Sequence, residues 1–465
     1  MGKTEVEFGG QRAKEIAMSG PGPKSMSGPV KGIPIAVVGG GFVGLVTAAG
    51  FAQFGHAVVC IENNEERLKK LQSGHVPFYE RDLEKLISEN LHNGRLSFTN
   101  DLEAAVDGQK AIFIAVGTPS AADGRADLGA LGTIAESLAS VLTSDQVIVI
   151  KSTVPVGTGK SIQAVFSENG HSKNPIAVVN APEFLREGNA VQDFFHPHRI
   201  VLGGTSTEAV ELVKHIYRLG MTDPVPIITT NNETAELIKY SSNAFLAMKI
   251  GFINELAGLC DSTGIDVLEV ARAMGMDGRI GPEFLDPGPG WGGSCFRKDL
   301  SELTGLASSL DHTLLIARAV LSANEQHHRY VVEKARKLIG SLDGATIGVL
   351  GLAFKANTSD MRDSPAIPII NELLDAGAKV QAYDPQAMEE ARSIIPNVSC
   401  VDSAIDVAAE ADCLLILTEW QEFQMLDLSK MAKMMATPNI VDTRNLLVPE
   451  VAKRHGFNYV SMGQA

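Results

Sequence analysis

The chain has 465 residues, 45% of them apolar and 20% charged, with a formal charge of −15. That length exceeds one ordinary core and suggests about three domains at ~150 residues each, the composition is that of a globular protein, and the negative charge argues against broad contact with a nucleic-acid backbone. Five scattered cysteines without CxxC spacing exclude a disulfide framework and a zinc site, and no apolar run or leader pattern marks a membrane span or secretion signal, so the expected compartment is the cytoplasm.

Residues 1–32, rich in Gly, Pro, Ser and Lys, are expected to form a disordered leader. Order begins with the apolar, β-branched run Ile33–Val38, followed at once by Gly39-Gly40-Gly41-Phe42-Val43-Gly44 and then by a helical pattern. Strand, G-x-G-x-x-G and helix in that order form a dinucleotide-binding signature. A second run, Ala57–Ile61, ends at Glu62, roughly 20 residues beyond the glycines, where an acid accepts hydrogen bonds from a ribose and repels a 2′-phosphate; NAD is expected over NADP. Arg67 is the one nearby residue that could serve a 2′-phosphate instead.

The alternation continues with strand runs Ala111–Val116 and Gln146–Ile150 around a helical stretch, Leu128–Val141. This is the rhythm of a doubly wound parallel sheet, whose ligands lie beyond the carboxyl ends of the strands. Those ends carry Gly117-Thr118-Pro119 and the turn from Lys151 to Thr158, which serve either a site or ordinary strand-to-helix turn chemistry. A further run, Ile176–Val179, leads into Pro182-Glu183-Phe184-Leu185-Arg186-Glu187-Gly188; Glu183 and Glu187 share a face if this segment turns helically, which suits proton handling or, equally, a solvated face.

From Thr234 to about Asp261 runs a long helical pattern, apolar on more than one stripe, long enough to bridge two domains and to pack against a second subunit. Lys239 and Asn243 lie one turn apart on it, a pairing suited to an oxyanion, though a lysine more commonly snorkels to the surface. The stretch Gly290-Trp291-Gly292-Gly293-Ser294-Cys295-Phe296-Arg297-Lys298-Asp299 follows. Its glycines would let the backbone approach a ligand, and a helix starting near Ser294 would put Cys295 at a positive N-terminus with Lys298 close by, favouring thiolate. The alternative is a buried structural thiol. After a helical stretch Leu314–Ile339, strand runs Thr346–Leu350, Lys379–Tyr383, Cys413–Leu417 and Asn439–Val441 repeat the Rossmann-like rhythm without G-x-G-x-x-G, with Lys355, Arg362 and Arg444 as cations for a pyrophosphate. The expected architecture is therefore α/β: two Rossmann-like doubly wound domains, joined by a long central helix within a helical dimerisation domain.

The motifs GGGFVG, VGTPS, KSTVPVGT, PEFLREG, KYSSNAF, RIG with FLDPGPGWGGSCFRKD, and GLAFKANTSDMRDSP stand in the order seen in the UDP-glucose 6-dehydrogenase family, which the chain resembles from Ile33 to about Val460. The resemblance implies an NAD-binding domain over residues 33–230, a central helical domain with the catalytic cysteine over 231–340, and a UDP-sugar-binding domain over 341–465. It implies Cys295 as nucleophile, assisted by Lys239, Asn243 and Asp299, with Thr153, Glu183 and Glu187 handling water, protons and cofactor. NAD would be held by Gly39, Gly41, Phe42, Val43, Gly44, Glu62, Thr118, Thr153, Glu187, Lys298 and Arg362. The sugar nucleotide would meet Glu183, Phe184, Leu185, Arg186, Glu187, Lys239, Asn243, Phe284, Leu285, Gly288, Gly292 and Lys355, with Arg279 donated across a homodimer interface. UDP-glucose is the expected substrate, and no nucleic acid, membrane or metal is expected. GDP-mannose is the close rival, and N-acetylated UDP sugars rank lower because their enzymes tend to carry PERV where this chain has PEFL. A single-step hydroxyacid dehydrogenase would need neither Cys295 nor a second nucleotide domain.

Overall fold

Valine- and isoleucine-rich runs that are apolar on both sides need helices above and below them, and this chain builds two parallel sheets from such runs. The computed structural model describes residues 32–119, 121, 125–142, 145–171 and 176–464; the leader expected over residues 1–32 lies, Gly32 excepted, outside the described residues.

The first sheet holds β1 (Pro34–Val38), β2 (Ala57–Ile61), β3 (Leu96–Thr99), β4 (Ala111–Ile114), β5 (Val147–Ile150), β6 (Ala177–Asn180), β7 (Ile200–Gly204) and β8 (Ile227–Thr230), in the order 3-2-1-4-5-6-7-8. All pairs are parallel except β6 with β7. Register aligns Val38 with both Ile61 and Ile114, and Ile150 with both Ile114 and Asn180. The strands therefore stop level, and Gly39, Glu62, Ala115, Lys151 and Ala181 form one rim, where an open parallel sheet places its ligands. The second sheet, of β9 (Thr346–Leu350), β10 (Lys379–Tyr383), β11 (Ser399–Cys400), β12 (Cys413–Ile416), β13 (Asn439–Asp442) and β14 (Asn458–Ser461), runs 11-10-9-12-13-14 with every pair parallel.

Four helices position the site: α1 (Phe42–Gln53), α2 (Asn232–Thr263), α3 (Phe296–Ser309) and α4 (Leu315–Ile339). The 32 residues of α2 span about 48 Å. Asn231 caps it by accepting from the Thr234 amide at 2.8 Å, and Gly264 ends it in a left-handed turn, φ 71°. Its first turns pack on β7, where a side chain at Gly203 would strike Ala235. Its last turns, through Ile253 and Ala257, join α4 in the core of the second sheet. One rod is thus rooted in both cores, as its length predicted.

Strands β3, β7, β8, β11 and β14 were not expected from the sequence. β8 is a partly exposed edge with two threonines, β11 has only two residues, and β7 ends in two glycines, so none gives the long β-branched run that marks the central strands. Among the described residues no helix is long and apolar enough to cross a membrane, and no group of three or more His, Cys, Asp or Glu could hold a metal ion.

Candidate active site

The glycine loop closes onto the first rim, and each glycine has a separate reason to be there. Gly39 has φ 113°, and a Cβ on it would lie 2.6 Å from the Ala115 carbonyl; one on Gly44 would lie 1.8 Å from the Gly39 carbonyl, so α1 could not pack on β1. Gly41 differs, since a Cβ there meets nothing within 4 Å. It is the N-cap of α1 without a side-chain cap, with Phe42 and Val43 opening the helix, so the first amides are free for an anion. Glu62 is buried, its Oε2 packed against Gly40. It accepts from the Asn64 amide at 2.8 Å and from Arg67 Nη1 at 3.2 Å. Arg67, the residue that could have served a 2′-phosphate, is therefore turned onto the acid that would exclude one. Open amides facing a buried acid at the end of β2 fit the pyrophosphate and ribose of NAD. Thr118 Oγ1 donates to the Thr153 carbonyl at 2.8 Å, tying together the turns after β4 and β5.

The glycines around Trp291 are closely packed against protein, where a side chain would strike a neighbour. A Cβ on Gly288 would meet Arg444, one on Gly290 would meet His328 and Asn324 of α4, and ones on Gly292 and Gly293 would meet Asp363, Pro365 and Phe354 of the third domain. Asn324 pairs with Trp291 as a strand would, accepting from its amide and donating to its carbonyl, both at 2.9 Å. Gly288 is held by Asn254 Oδ1 at its amide, 2.8 Å, and by His327 Nε2 at its carbonyl, 2.7 Å. Just before it, Phe284 adopts φ 64°, a strained conformation for an aromatic residue, and Leu285 is buried.

This strip delivers Cys295 to the N-cap of α3. The thiolate expected there is not preformed. Cys295 is open to solvent on one side, yet the protein packed round its thiol pushes the pKa up to about 11; Lys239 opposes that rise, while Glu183 and Asp299 add to it. Lys298, the cation expected to help, is spent on Asp299, with Nζ 2.7 Å from Oδ1. The helix end and one lysine lose to desolvation and two carboxylates.

Around the sulfur the predicted groups converge. Lys239 Nζ donates to Glu183 Oε1 at 3.1 Å, with both side chains buried. Burial alone would lower the Lys239 pKa, but Glu183, Cys295 and Asp299 more than offset it, so the ammonium is retained. Asn243 Nδ2 donates to the other oxygen of Asp299 at 2.6 Å, and Asp299 is fully buried. Thr153 lines the same small cavity as Lys239.

The third domain reaches this cluster through Glu187, which accepts from Thr358 Oγ1 at 3.2 Å and lies 3.6 Å from Arg362 Nη2. Burial and the neighbouring Asp360 push Glu187 up to about 7, with Arg362 and Lys355 resisting. Arg362 is itself gripped by Asp360 through two bonds of 2.9 and 2.6 Å. Lys355 is pulled below the ordinary lysine value by burial despite Glu187 and Glu419 nearby. Two predicted arginines stand apart from the lysine cluster. Arg186 is held fork-to-fork by Asp193 at 2.9 and 2.7 Å, and Arg279 is almost fully exposed, paired only locally with Asp277.

Sequence reasoning missed several residues that shape the site. Arg199 stacks on Phe184, its guanidinium 3.9 Å from the ring centroid, and donates to Ser242 at 3.1 Å, holding Phe184 against α2. Glu80 accepts from the amides of Gly188 and Ala190 at 2.6 and 2.9 Å, fixing the turn after Glu187. Glu302 of α3 accepts from the Ala126 amide at 2.8 Å, linking the cysteine's helix to the nucleotide domain. Only Glu236, three residues before Lys239, carried a signal in the sequence: the same face of a helix.

Fold and site together define an NAD-dependent dehydrogenase that carries a thiol beside its dinucleotide rim. Residues 33–220, 233–326 and 348–449 match the NAD binding, central and UDP binding domains of the UDP-glucose/GDP-mannose dehydrogenase family, and the chain belongs to that family. It is 45% identical over 437 residues to a UDP-glucose 6-dehydrogenase of Rhizobium meliloti, covering 92% of this chain and 99% of the relative. It is 42% identical over 433 residues to UDP-glucose 6-dehydrogenase TuaD of Bacillus subtilis, covering 92% and 93%. The structure of a UDP-glucose dehydrogenase from Pyrobaculum islandicum superposes with a TM-score of 0.86 at 36% identity, covering 94% of this chain and 99% of that one.

Proposed function

We propose that the protein oxidises UDP-glucose to UDP-glucuronate in two successive NAD-dependent steps at one site, with Cys295 holding the sugar between them. The observation that supports this best is the convergence of a thiol, a retained ammonium and two buried carboxylates, Cys295, Lys239, Glu183 and Asp299, beside the dinucleotide rim.

Conversion of a primary alcohol to a carboxylate removes four electrons, two at each stage, so the aldehyde stage must be kept from escaping. NAD, held by the glycine loop, Glu62 and Thr118, supplies the hydride acceptor when bound. Lys239 and Asn243, with the N–H groups not given to Glu183 and Asp299, donate to the oxygen on the reacting carbon and stabilise its charge. Cys295 adds to the aldehyde to give a thiohemiacetal. Burial holds the thiol protonated, so its proton leaves as the C–S bond forms, and Asp299, whose charge acts on the thiol, is assigned as its acceptor. Loss of the second hydride gives a thioester; Glu183 and Thr153 then orient water, whose oxygen joins the carbonyl carbon while the sulfur leaves with a proton. The sugar nucleotide is assigned to Phe284–Gly288, Gly292 and Lys355, with Arg186 and Glu187 completing the wall toward the third domain, and Arg362 is assigned to NAD.

A homodimer belongs to the same reading. Phe245, Phe252 and Leu259 are exposed at seven-residue intervals along α2, an apolar stripe of the kind that a second helix covers. Arg279, free of its own chain's site, would then complete the partner's. Five free cysteines suit a reducing cytoplasm.

The test is NADH counted per sugar with UDP-glucose, GDP-mannose and UDP-N-acetyl sugars in parallel, on the wild type and on Cys295→Ser. Two NADH per UDP-glucose is expected, with Cys295→Ser failing to release free acid; undiminished steady-state acid from that variant sinks the covalent scheme.

A further inference from the structure

Glu236 is a buried carboxylate on α2, one helical turn before Lys239. Its Oε2 accepts from the Gly157 amide at 2.6 Å, and its Oε1 from the Gly159 amide at 2.7 Å and from Asn180 Nδ2 at 2.5 Å. Gly157 and Gly159 close the turn that begins at Thr153, and Gly157 is the N-cap, φ 98°, of the nine-residue helix Thr158–Phe166, which has no side-chain cap of its own. Asn180 ends β6, three residues before Glu183. One carboxylate thus draws together the two turns that carry Thr153 and Glu183 and anchors both to the helix that carries Lys239 and Asn243. The anion also satisfies the first amides of a helix that would otherwise face the interior unpaired. A second group marks the place: Asn180 Oδ1 is buried without a partner and lines, with Thr153, Glu236 and Lys239, the same small cavity.

We propose that Glu236 is a positioning residue for the oxidation, setting the distance between the Thr153 turn and the Lys239 ammonium. The inference rests on the reading that Thr153, Glu183 and Lys239 serve one reaction. Glu236 accepts three hydrogen bonds and donates none, so a glutamine cannot replace it: its NH₂ must face an amide donor whichever way it turns. An aspartate keeps the charge but is one methylene short of reaching both amides and Asn180. The residues assigned to the UDP moiety at Phe284–Gly288 and Lys355 lie on other segments, so their contacts do not depend on this carboxylate.

Steady-state kinetics of the full-length enzyme with UDP-glucose and NAD test it. Glu236→Gln is expected to lower kcat at least tenfold with the KM for UDP-glucose changed less than twofold, and Glu236→Asp to lower it by a smaller factor. The proposal is overturned by a kcat in Glu236→Gln within twofold of wild type, or by KM rising in step with the loss. Should Glu236→Gln not fold, as judged by circular dichroism, the graded loss in Glu236→Asp decides, and an Asp variant with full kcat overturns it. Failure of the underlying reading looks different: the wild type itself then gives fewer than two NADH per UDP-glucose.

Discussion

Lys239→Met should cost this protein stability as well as activity, and the two losses can be separated. Lys239 and Glu183 are both buried and sit 3.1 Å apart. At an effective dielectric of ~20 their attraction is about 5 kcal/mol, most of which offsets the desolvation of two charges. Removing the lysine alone strands a buried carboxylate, which costs ~3–5 kcal/mol. In a domain of ~200 residues that is a fall of roughly 10 °C in the unfolding midpoint of the nucleotide domain, at about 2–4 °C per kcal/mol. Lys239→Met combined with Glu183→Gln removes both charges and should regain most of that fall, while turnover stays abolished in both variants. Calorimetry of the wild type, both single variants and the double, with NADH production beside it, gives the complete cycle. A double variant no more stable than Lys239→Met would refute the reasoning, because the loss could not then be an unpaired Glu183.

Glu62→Ala should lower kcat/KM for NAD by about 10- to 100-fold, the worth of a hydrogen bond to a charged acceptor, and should raise use of NADP as Arg67 is released; an unchanged NAD-to-NADP ratio would contradict the assigned role. Glu187 has a folded-state pKa of about 7 against an ordinary 4.5, so the folded state holds its proton more tightly. Its contribution is complete below pH 4.5 and is lost as pH rises through about 7. The wild-type midpoint should therefore fall relative to that of Glu187→Gln across this window, and a difference independent of pH removes the argument. Arg279→Ala should raise the KM for UDP-glucose at least tenfold, the loss of ~1.5 kcal/mol or more from one charged contact, without moving the midpoint. Mixing inactive Cys295→Ser with Arg279→Ala subunits should restore one competent site per mixed dimer; no gain on mixing would mean that the arginine does not cross.

The fold was largely legible because β1, β2, β4 and β5 are uninterrupted apolar runs between glycine turns, and α2 has a periodicity too long for one domain. Edge strands such as β8 and β11 were not, since their pairing comes from neighbours rather than from composition. In the site, residue types and helical spacing placed Lys239 with Asn243 and Cys295 at a helix start. They could not give the balance of charge at the sulfur, which depends on how closely Glu183 and Asp299 approach and how much protein surrounds the thiol. Glu80 and Arg199 were invisible for the same reason: each acts on a segment about a hundred residues away or across a turn, through contacts that no local pattern encodes.

The strip from Gly288 to Gly293 touches protein at every glycine, with α4 beneath Gly290 and the third domain against Gly292 and Gly293. It works as a gasket between the two halves of the enzyme, and even a methyl group on it would wedge them apart. On the proposed assignment of the UDP moiety, reshaping its pocket must therefore leave this strip alone and start from the flanking Phe284–Asp286 wall or from Lys355, where side chains already exist to be exchanged.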